Sequence, residues 1–237
     1  MDLKSKIILI SGPTASGKSK LALKVAKKLN GEIINADSMQ VFKEFEILSS
    51  RPGSSDTQKI KHHLYGVISA KKYFSAGDWL KQVKKKINIC LKKKKIPIVV
   101  GGTGLYFNTI TKGISKIPNI DLKTRNKVRN LYKKIGFKRF YDRLLKLDPK
   151  IKGRILPTDS QRAQRAYEVK FKTKKSLFDW FVNTKSDFLD FEIKKIFIDI
   201  PRDELLKKIS QRTKLMIKKK CIDEVRKFNK LKIKKSL

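Results

Sequence analysis

A glycine-rich segment near the start of the chain limits what the chain can fold into more than any other feature. Residues 12–19 read GPTASGKS and fit the phosphate-binding pattern GxxxxGK[ST]. The apolar run KIILIS (Lys6–Ser11) precedes the segment, and apolar residues at helical spacing follow it from Gly17 onward. A strand, a glycine turn and a helix in this order let backbone N–H groups and the helix N-terminus surround a phosphate.

This segment predicts a binding site for a diphosphate or a triphosphate. Lys18 would reach the terminal phosphates, and the hydroxyl of Ser19 would be a ligand of Mg²⁺. The pattern alone does not indicate which phosphate compound binds or what happens to it. The predicted phosphate-binding set is Gly12, Pro13, Thr14, Ala15, Ser16, Gly17, Lys18 and Ser19.

Further short apolar runs predict the rest of the fold. Runs at 32–36, 96–100 and 195–200 alternate with stretches of helical periodicity, which is typical of a mostly parallel sheet covered by helices on both faces. We therefore expect an α/β fold with a P-loop NTPase-like parallel sheet. The middle of the chain shows helical stripes and no convincing buried strand. The predicted domains are a discontinuous core of residues 1–114 and 191–237 and a helical insertion subdomain of residues 115–190.

The net charge of +38 favours a polyanionic partner such as nucleic acid. Lysines make up 48 of the 59 basic residues and are abundant throughout the chain, so a compositional bias is an alternative explanation of the excess. The lysine clusters at 84–86, 92–95 and 218–220 are expected to be solvated faces.

The sequence also excludes some classes of protein. No run approaches 18 apolar residues, so we expect no membrane-spanning helix. The start of the chain lacks a cleavable signal pattern, and Cys90 and Cys221 lack metal-ligand spacing. We therefore expect reduced thiols in a cytoplasmic protein. His62 and His63 also lack a metal-binding pattern and are expected to be structural.

Three further segments narrow the interpretation. Residues 37–42 (DSMQVF) follow the second apolar run, residues 101–107 (GGTGLYF) follow the third, and residues 159–168 (DSQRAQRAYE) lie in the predicted insertion. Together with the glycine-rich segment, and in this order, they resemble the tRNA dimethylallyltransferase family. Residues 62–64 (HHL) and 73–79 (YFSAGDW) also resemble family segments.

The resemblance implies a function as well as a fold. Members of this family transfer a dimethylallyl group from dimethylallyl diphosphate to N6 of the adenosine next to the anticodon of tRNA, and they release diphosphate. The expected ligands are therefore dimethylallyl diphosphate, Mg²⁺ and the anticodon stem-loop of tRNA, and we expect a monomer without a membrane partner. The family continues beyond the point where this sequence stops, which predicts a chain that lacks the family's C-terminal segment.

The resemblance assigns roles to three residues outside the glycine-rich segment. Asp37 would accept the proton of N6, and the alternatives are that it caps the following helix or binds Mg²⁺. Thr103 would contact the substrates at the transfer site, or would only stabilise a turn. Arg212 would hold the diphosphate with its guanidinium group, or would be a surface arginine. The predicted catalytic set is Asp37, Thr103 and Arg212.

The contacts to tRNA that the resemblance implies lie in the loops and in the insertion. Arg162 and Arg165 are three residues apart and share a helix face, where family members hold the anticodon stem-loop. A solvated helix face is the alternative. The predicted tRNA-binding set is Asp37, Ser38, Met39, Gln40, Thr103, Arg125, Gln161, Arg162, Ala163, Gln164 and Arg165.

Two other functions stay open on the sequence. A P-loop small-molecule or nucleotide kinase, which binds ATP, has the same kind of glycine-rich segment, and a fold does not decide a function. An inactive, truncated homologue that binds tRNA is the other alternative, although the intact Lys18, Ser19, Asp37 and Thr103 argue against it.

Overall fold

Five short parallel strands form the sheet of this computed structural model, which describes residues 6–231. Their order across the sheet is β3-β2-β4-β1-β5, and every neighbouring pair is parallel. Because all the strands run the same way, their carboxyl ends lie along one edge of the sheet. The strands are β1 (Lys6–Ser11), β2 (Gly31–Asn35), β3 (His62–His63), β4 (Ile96–Gly101) and β5 (Glu192–Phe197).

The sheet confirms the predicted α/β fold, with two differences in its strands. The predicted strand at 195–200 begins three residues earlier, at Glu192, and most of its residues are exposed because it has a single neighbour at the edge of the sheet. The strand β3 was not predicted, because two histidines carry neither an apolar run nor an alternating pattern.

Nine α-helices accompany the sheet in the part of the chain that the structure describes. In the sheet's own part of the chain they are α1 (Lys18–Lys28), α2 (Ser54–Lys59), α3 (Ala76–Lys92), α4 (Gly104–Thr111), α8 (Arg202–Lys218) and α9 (Cys221–Lys230). The middle of the chain contains α5 (Leu122–Leu147), α6 (Ser160–Thr173) and α7 (Leu177–Phe181). None of these helices is both long and apolar enough to cross a bilayer.

Helices cover both faces of the sheet, since successive strand residues point to opposite sides. On one face, Ile34 and Val99 pack with Trp79 of α3 and Tyr106 of α4. On the other face, strand residues pack against α1; this cluster includes Ile8, Ile10, Ala22, Ala26, Ile33 and Ile98.

The described residues divide into two compact units. Residues 6–111 and 187–231 form the core unit, and residues 112–186 form the insert unit, which has its own apolar core around Phe140, Leu144 and Val169. The helix α5 is interrupted at Gly136, whose φ of 72° is left-handed, so α5 consists of two helical segments. The predicted core also includes residues 1–5 and 232–237, which lie outside the described residues.

Candidate active site

The loop between β1 and α1 is shaped by two glycines. A β-carbon on Gly12 would lie 2.6 Å from the carbonyl oxygen of Ile198, so the strand end and its neighbour approach too closely for any other residue. Gly17 has a φ of 87° and is the residue that precedes α1. This left-handed conformation, which glycine adopts at no steric cost, turns the chain into the helix.

Three polar side chains of this loop are placed to meet an anion. The hydroxyl of Ser16 is buried and has no hydrogen-bond partner among the described residues. The ammonium group of Lys18 folds back over the loop and donates to the carbonyl oxygen of Pro13 at 2.5 Å. Ser19 is exposed at the second position of α1 and lines the same cleft. A cradle of this kind binds phosphate through backbone N–H groups, a lysine and a helix N-terminus.

Asp37 follows β2 at the carboxyl edge of the sheet. Its Oδ1 accepts the backbone N–H groups of Met39 at 2.9 Å and Gln40 at 3.4 Å, which fixes the carboxylate in a turn. Its Oδ2 points towards Gly102, where an added β-carbon would be 4.0 Å away. The turn therefore holds one carboxylate oxygen, and the other lies towards the loop that follows β4.

Thr103 joins the end of β4 to the end of β2. Its Oγ1 accepts the backbone N–H of Ser38 at 2.9 Å, and its own backbone N–H donates to the carbonyl oxygen of Ala36 at 3.2 Å. The two segments are so close that a β-carbon on Gly101 would lie 2.0 Å from the carbonyl oxygen of Ala36. Thr103 is thus part of the link that holds the Asp37 turn against the end of β4.

Arg212 reaches the site from α8, which lies far along the chain from the glycine loop. Its Nη1 donates to Oγ1 of Thr14 at 3.0 Å, 198 residues earlier, and its Nη2 donates to the carbonyl oxygen of Ser49 at 3.4 Å. The guanidinium group is partly buried between the glycine loop and the loop that contains Ser49. Its position in the structure is that of a cleft residue rather than of a free surface arginine.

These parts surround one cleft of about 620 Å³ in the core unit. The predicted catalytic residues Asp37, Thr103 and Arg212 all line it, as does the whole glycine loop. Gln40, from the predicted tRNA-binding set, lines it as well, whereas sequence reasoning did not single out Lys20 of α1, Ser50 or Tyr65. The lining residues are Gly12, Pro13, Thr14, Ala15, Ser16, Gly17, Lys18, Ser19, Lys20, Asp37, Gln40, Ser50, Tyr65, Val100, Gly101, Gly102, Thr103 and Arg212.

Two cationic side chains of the cleft, Lys18 and Arg212, are partly desolvated. Burial lowers the pKa of the Lys18 ammonium group, which the charge of Asp37 opposes and the charge of Arg212 reinforces. Burial also lowers the pKa of Arg212, again against the charge of Asp37. Burial and the charge of Asp37 raise the pKa of Tyr65, so its phenol stays neutral. An anion bound here would restore favourable partners to both cations.

Asn35 is the positioning residue that sequence reasoning missed at this site. It is fully buried, and its Nδ2 donates to the carbonyl oxygens of Asp37 at 3.0 Å and Leu64 at 3.1 Å. A polar residue at the end of a buried apolar strand, two positions before the predicted Asp37, is the signal that could have found it. Tyr65, next to Leu64, had no comparable signal.

Two predicted arginines of the insert unit lie on α6. Arg162 is exposed, and its Nε lies 3.4 Å from a carboxylate oxygen of Asp159. Arg165 is partly exposed and forms an ion pair with the buried Glu168 at 3.2 Å. Ala163, from the predicted tRNA-binding set, is fully buried in the insert core. Its side chain therefore contributes to packing and offers no surface to RNA.

The other predicted residues of the insert unit are Gln161, Gln164 and Arg125. Gln161 is exposed, and the amide of Gln164 donates to the carbonyl oxygen of Ser160 at 3.3 Å. Nε of Arg125 donates to the carbonyl oxygen of Ile120 at 3.1 Å. In the core unit, Met39 is 52% exposed beside the cleft. The role of all these residues in tRNA binding stays a prediction.

A second polar cluster lies at the start of β2, away from the cleft. Nε2 of His63 lies 2.6 Å from Oε2 of Glu32, and the thiol of Cys90 donates to the same oxygen at 3.6 Å. Burial raises the pKa of Cys90 to about 12, so the thiol is protonated. The three groups satisfy one another, and the positive charges of Lys86 and Lys93 disfavour a further cation. We therefore assign no metal to this cluster, which the sequence did not predict because its members are 31 and 58 residues apart.

Comparison with known proteins identifies the family of the chain. The family model described as IPP transferase matches residues 40–237. The chain is 57% identical to the tRNA dimethylallyltransferase of Pelagibacter ubique over 235 residues, which are 99% of this chain and 75% of that protein. The chain belongs to the tRNA dimethylallyltransferase family. The corresponding protein of Rickettsia massiliae is 43% identical over 94% of this chain and 61% of its own length.

Solved structures of the family have the same fold. A eukaryotic dimethylallyltransferase described as acting on tRNA matches with a TM-score of 0.82 and 28% identity, over 96% of this chain and 56% of that chain. The full-length tRNA isopentenylpyrophosphate transferase of Bacillus halodurans matches with a TM-score of 0.64 and 28% identity, over 98% of this chain and 72% of that chain. This chain thus spans between about half and three quarters of these relatives. The comparisons do not favour the kinase alternative.

Proposed function

We propose that this chain transfers the dimethylallyl group of dimethylallyl diphosphate to N6 of the adenosine next to the anticodon of tRNA, with release of diphosphate. One observation carries the proposal. A phosphate-binding loop, the carboxylate of Asp37, the hydroxyl of Thr103 and the guanidinium group of Arg212 line one cleft, in a chain 57% identical to a tRNA dimethylallyltransferase.

The glycine loop and two cations would hold the diphosphate of the donor. Backbone N–H groups of the loop and the N-terminus of α1 stabilise negative charge. Lys18 and Arg212 add positive charge from two sides of the cleft. When the bond between C1 of the dimethylallyl group and the diphosphate oxygen breaks, charge grows on that oxygen, and groups already in place stabilise it more than water would.

Asp37 would serve the other reactant. The exocyclic amine of adenine is a weak nucleophile because its lone pair is delocalised into the ring. A carboxylate that accepts a hydrogen bond from N6 orients the amine and takes its proton as the bond between N6 and C1 forms. Because Oδ1 already accepts two backbone N–H groups, Oδ2 is the oxygen that we assign to this proton.

Thr103 would keep the two halves of the reaction together. Its Oγ1 accepts the N–H of Ser38, next to Asp37, and lies 3.3 Å from the Ser38 hydroxyl. The Thr103 hydroxyl therefore helps to hold the turn that carries the proton acceptor. We propose that it also contacts the reacting groups.

The donor set of the cleft fits Mg²⁺. The Ser19 hydroxyl, which lines the cleft, offers a hard oxygen ligand, and the phosphate oxygens of the donor would supply others. The buried, unpartnered hydroxyl of Ser16 lies in the same loop and is a further polar group facing this region. A bound Mg²⁺ would offset part of the negative charge of the diphosphate.

The insert unit would bind the anticodon stem-loop of tRNA. Exposed Arg162 and partly exposed Arg165 are suited to phosphate and base contacts, and the net charge of +38 favours a polyanion. We propose the cytoplasm as the site of action, since the proposed substrate is tRNA, and we propose that the chain acts as a monomer.

A transfer assay tests the proposed function. Dimethylallyl diphosphate with a label in the prenyl group is incubated with unmodified tRNA and Mg²⁺, with a chelator in one control and with ATP in place of the donor in another. We expect label in the tRNA, none with the chelator, and no ATP turnover. ATP turnover without label in tRNA would favour a kinase. Donor binding without transfer would indicate an inactive homologue.

A further inference from the structure

One carboxylate of the last helix closes on a loop of the cleft. Glu224, in α9, accepts the backbone N–H groups of Glu46 at 2.8 Å, Ile47 at 2.7 Å and Leu48 at 2.9 Å. Three consecutive N–H groups that converge on one point form a nest for an anion. Here the anion is a side chain that lies 176 to 178 residues further along the chain.

The residues that directly follow this nest hold two cleft side chains. The carbonyl oxygen of Ser49 accepts hydrogen bonds from Nε2 of Gln40 at 2.8 Å and from Nη2 of Arg212 at 3.4 Å. The carbonyl oxygen of Ser50 accepts the same amide of Gln40 at 3.2 Å. Gln40, Ser50 and Arg212 all line the cleft. The backbone direction at 46–48 therefore determines where these two carbonyl oxygens point.

A ring contact places the helix on the same loop. The rings of Phe45 and Phe228 are 4.6 Å apart between centroids. Phe228 is four residues after Glu224, so both side chains lie on one face of α9. One charged contact and one apolar contact thus hold α9 to the residues just before Ser49.

We propose that Glu224 is a positioning residue for diphosphate binding, an inference that rests on the function proposed above. Its carboxylate fixes the backbone of 46–48, so that the Ser49 carbonyl oxygen holds the Arg212 guanidinium group towards Thr14 of the glycine loop. The path from α9 to the diphosphate then runs through backbone atoms and one arginine. Glu224 itself does not line the cleft.

The variant Glu224→Gln tests this assignment with little change in volume. The amide keeps one acceptor oxygen but turns an NH₂ group towards backbone N–H donors, so at least one of the three hydrogen bonds is lost. Asp223→Asn is the matched control, because Asp223 is the neighbouring carboxylate and is about half exposed. Among the described residues its ion pair is local, with Arg226 at 3.1 Å.

Two measurements distinguish an effect on the loop at 46–48 from an effect on diphosphate binding. Hydrogen exchange reports on the amides of 46–48, and calorimetric titration with inorganic diphosphate reports on the cleft. For Glu224→Gln we expect amide exchange faster by about tenfold and diphosphate binding weaker by about fivefold or more, since one charge-assisted contact to the loop is lost. For Asp223→Asn we expect both to stay at wild-type values.

A double-variant comparison tests the path through Arg212. If Glu224 acts by placing this guanidinium group, Glu224→Gln should weaken diphosphate binding much less in an Arg212→Lys background than in the wild type. Equal losses in both backgrounds would assign Glu224 a general structural role and overturn the proposal. If Glu224→Gln fails to fold, Glu224→Asp, which keeps the charge but reaches less far, carries the same comparisons.

The remaining outcomes are also decisive. Unchanged exchange at 46–48 in Glu224→Gln would overturn the proposal, and so would unchanged diphosphate affinity beside faster exchange. If the wild-type chain itself does not bind diphosphate, the proposed function fails, whereas the exchange data still decide whether Glu224 holds the loop.

Discussion

Asn35 and Asp37 are joined by a reciprocal pair of hydrogen bonds. Oδ1 of Asn35 accepts the backbone N–H of Asp37 at 2.8 Å, and Nδ2 of Asn35 donates to the Asp37 carbonyl oxygen at 3.0 Å. The same Nδ2 reaches the carbonyl oxygen of Leu64, and the backbone carbonyl oxygen of Asn35 accepts the indole N–H of Trp79. One fully buried amide therefore fixes the backbone on both sides of the proposed proton acceptor.

Replacing this amide should damage both stability and activity. Asn35→Ala leaves buried polar groups of Asp37 and Leu64 without partners, so we expect a loss of about 2–4 kcal/mol in the free energy of unfolding. We also expect transfer to slow by about tenfold or more as the carboxylate loses its position. Urea unfolding and the transfer assay measure the two effects. Asn108→Ala, which changes an exposed asparagine of α4, is the control, and equal behaviour of the two variants would contradict the prediction.

Two substitutions of Asp37 separate its possible roles. We expect Asp37→Ala to abolish transfer while tRNA affinity stays within about tenfold, or about 1.4 kcal/mol. Asp37→Asn keeps Oδ1 as the acceptor of the Met39 and Gln40 N–H groups but has no basic oxygen, so we expect it to be inactive as well. Transfer by Asp37→Asn close to the wild-type rate would make Asp37 a capping residue only.

The insert unit should bind RNA independently of the donor. We expect the double variant Arg162→Ala, Arg165→Ala to bind tRNA more weakly and with a salt dependence reduced by about one to two in slope, because up to two phosphate contacts are lost. Diphosphate affinity should not change. Filter binding at several salt concentrations measures the slope, and Arg143→Ala, an exposed arginine of the same unit, is the control.

The arginine experiment needs a check of folding and a check of diphosphate binding. Arg165→Ala leaves the carboxylate of the buried Glu168 without its partner, so the folded fraction of the double variant is measured first. A parallel fall in diphosphate affinity would mean that the insert is not a dedicated site for tRNA.

The two histidines should make the protein less stable in acid. Burial lowers the pKa of His63 below 6.5, and burial lowers that of His62 in the same way. The unfolded chain therefore binds protons more readily, so stability is fully present above pH 6.5 and falls as the pH drops below this value. Burial would raise the pKa of Glu32, but hydrogen bonds from His63 and Cys90 lower it below 4.5, so a second loss follows below pH 4.5.

Urea unfolding between about pH 8 and about pH 5 measures the effect of the histidines. The chain has two histidines, so the double variant His62→Gln, His63→Gln removes every imidazole. We expect a smaller dependence of its unfolding free energy on pH in this range. The same dependence as in the wild type would show that other groups titrate.

Local patterns predicted much of the fold and part of the site. The apolar runs of β1, β2 and β4 are nearly continuous because these strands are buried on both faces, and such runs can be recognised in a sequence. The glycine loop is also recognisable in the sequence, because backbone geometry within eight residues sets the spacing of its glycines. Asp37 and Thr103 were predicted because they follow such strands within family-like segments.

Other parts had no local signal. β3 is two residues long and owes its existence to pairing with β2 at Ile33 and Ile34. The cluster of Glu32, His63 and Cys90 forms only when two strands and α3 meet. Neither could be predicted from spacing, because the residues that define them are brought together by the fold.

The sequence by itself determined the strands β1, β2 and β4, the phosphate loop with the start of α1 and, through its resemblance to a family, the kind of reaction to expect. These features depend on contacts within a few residues, which side-chain periodicity and turn chemistry record directly. Only the tertiary structure decided that Arg212 meets Thr14 across 198 residues and that Glu224 closes on the loop before Ser49. Such contacts depend on how whole elements pack, because distant hydrogen bonds form only after the sheet and its helices have placed both partners.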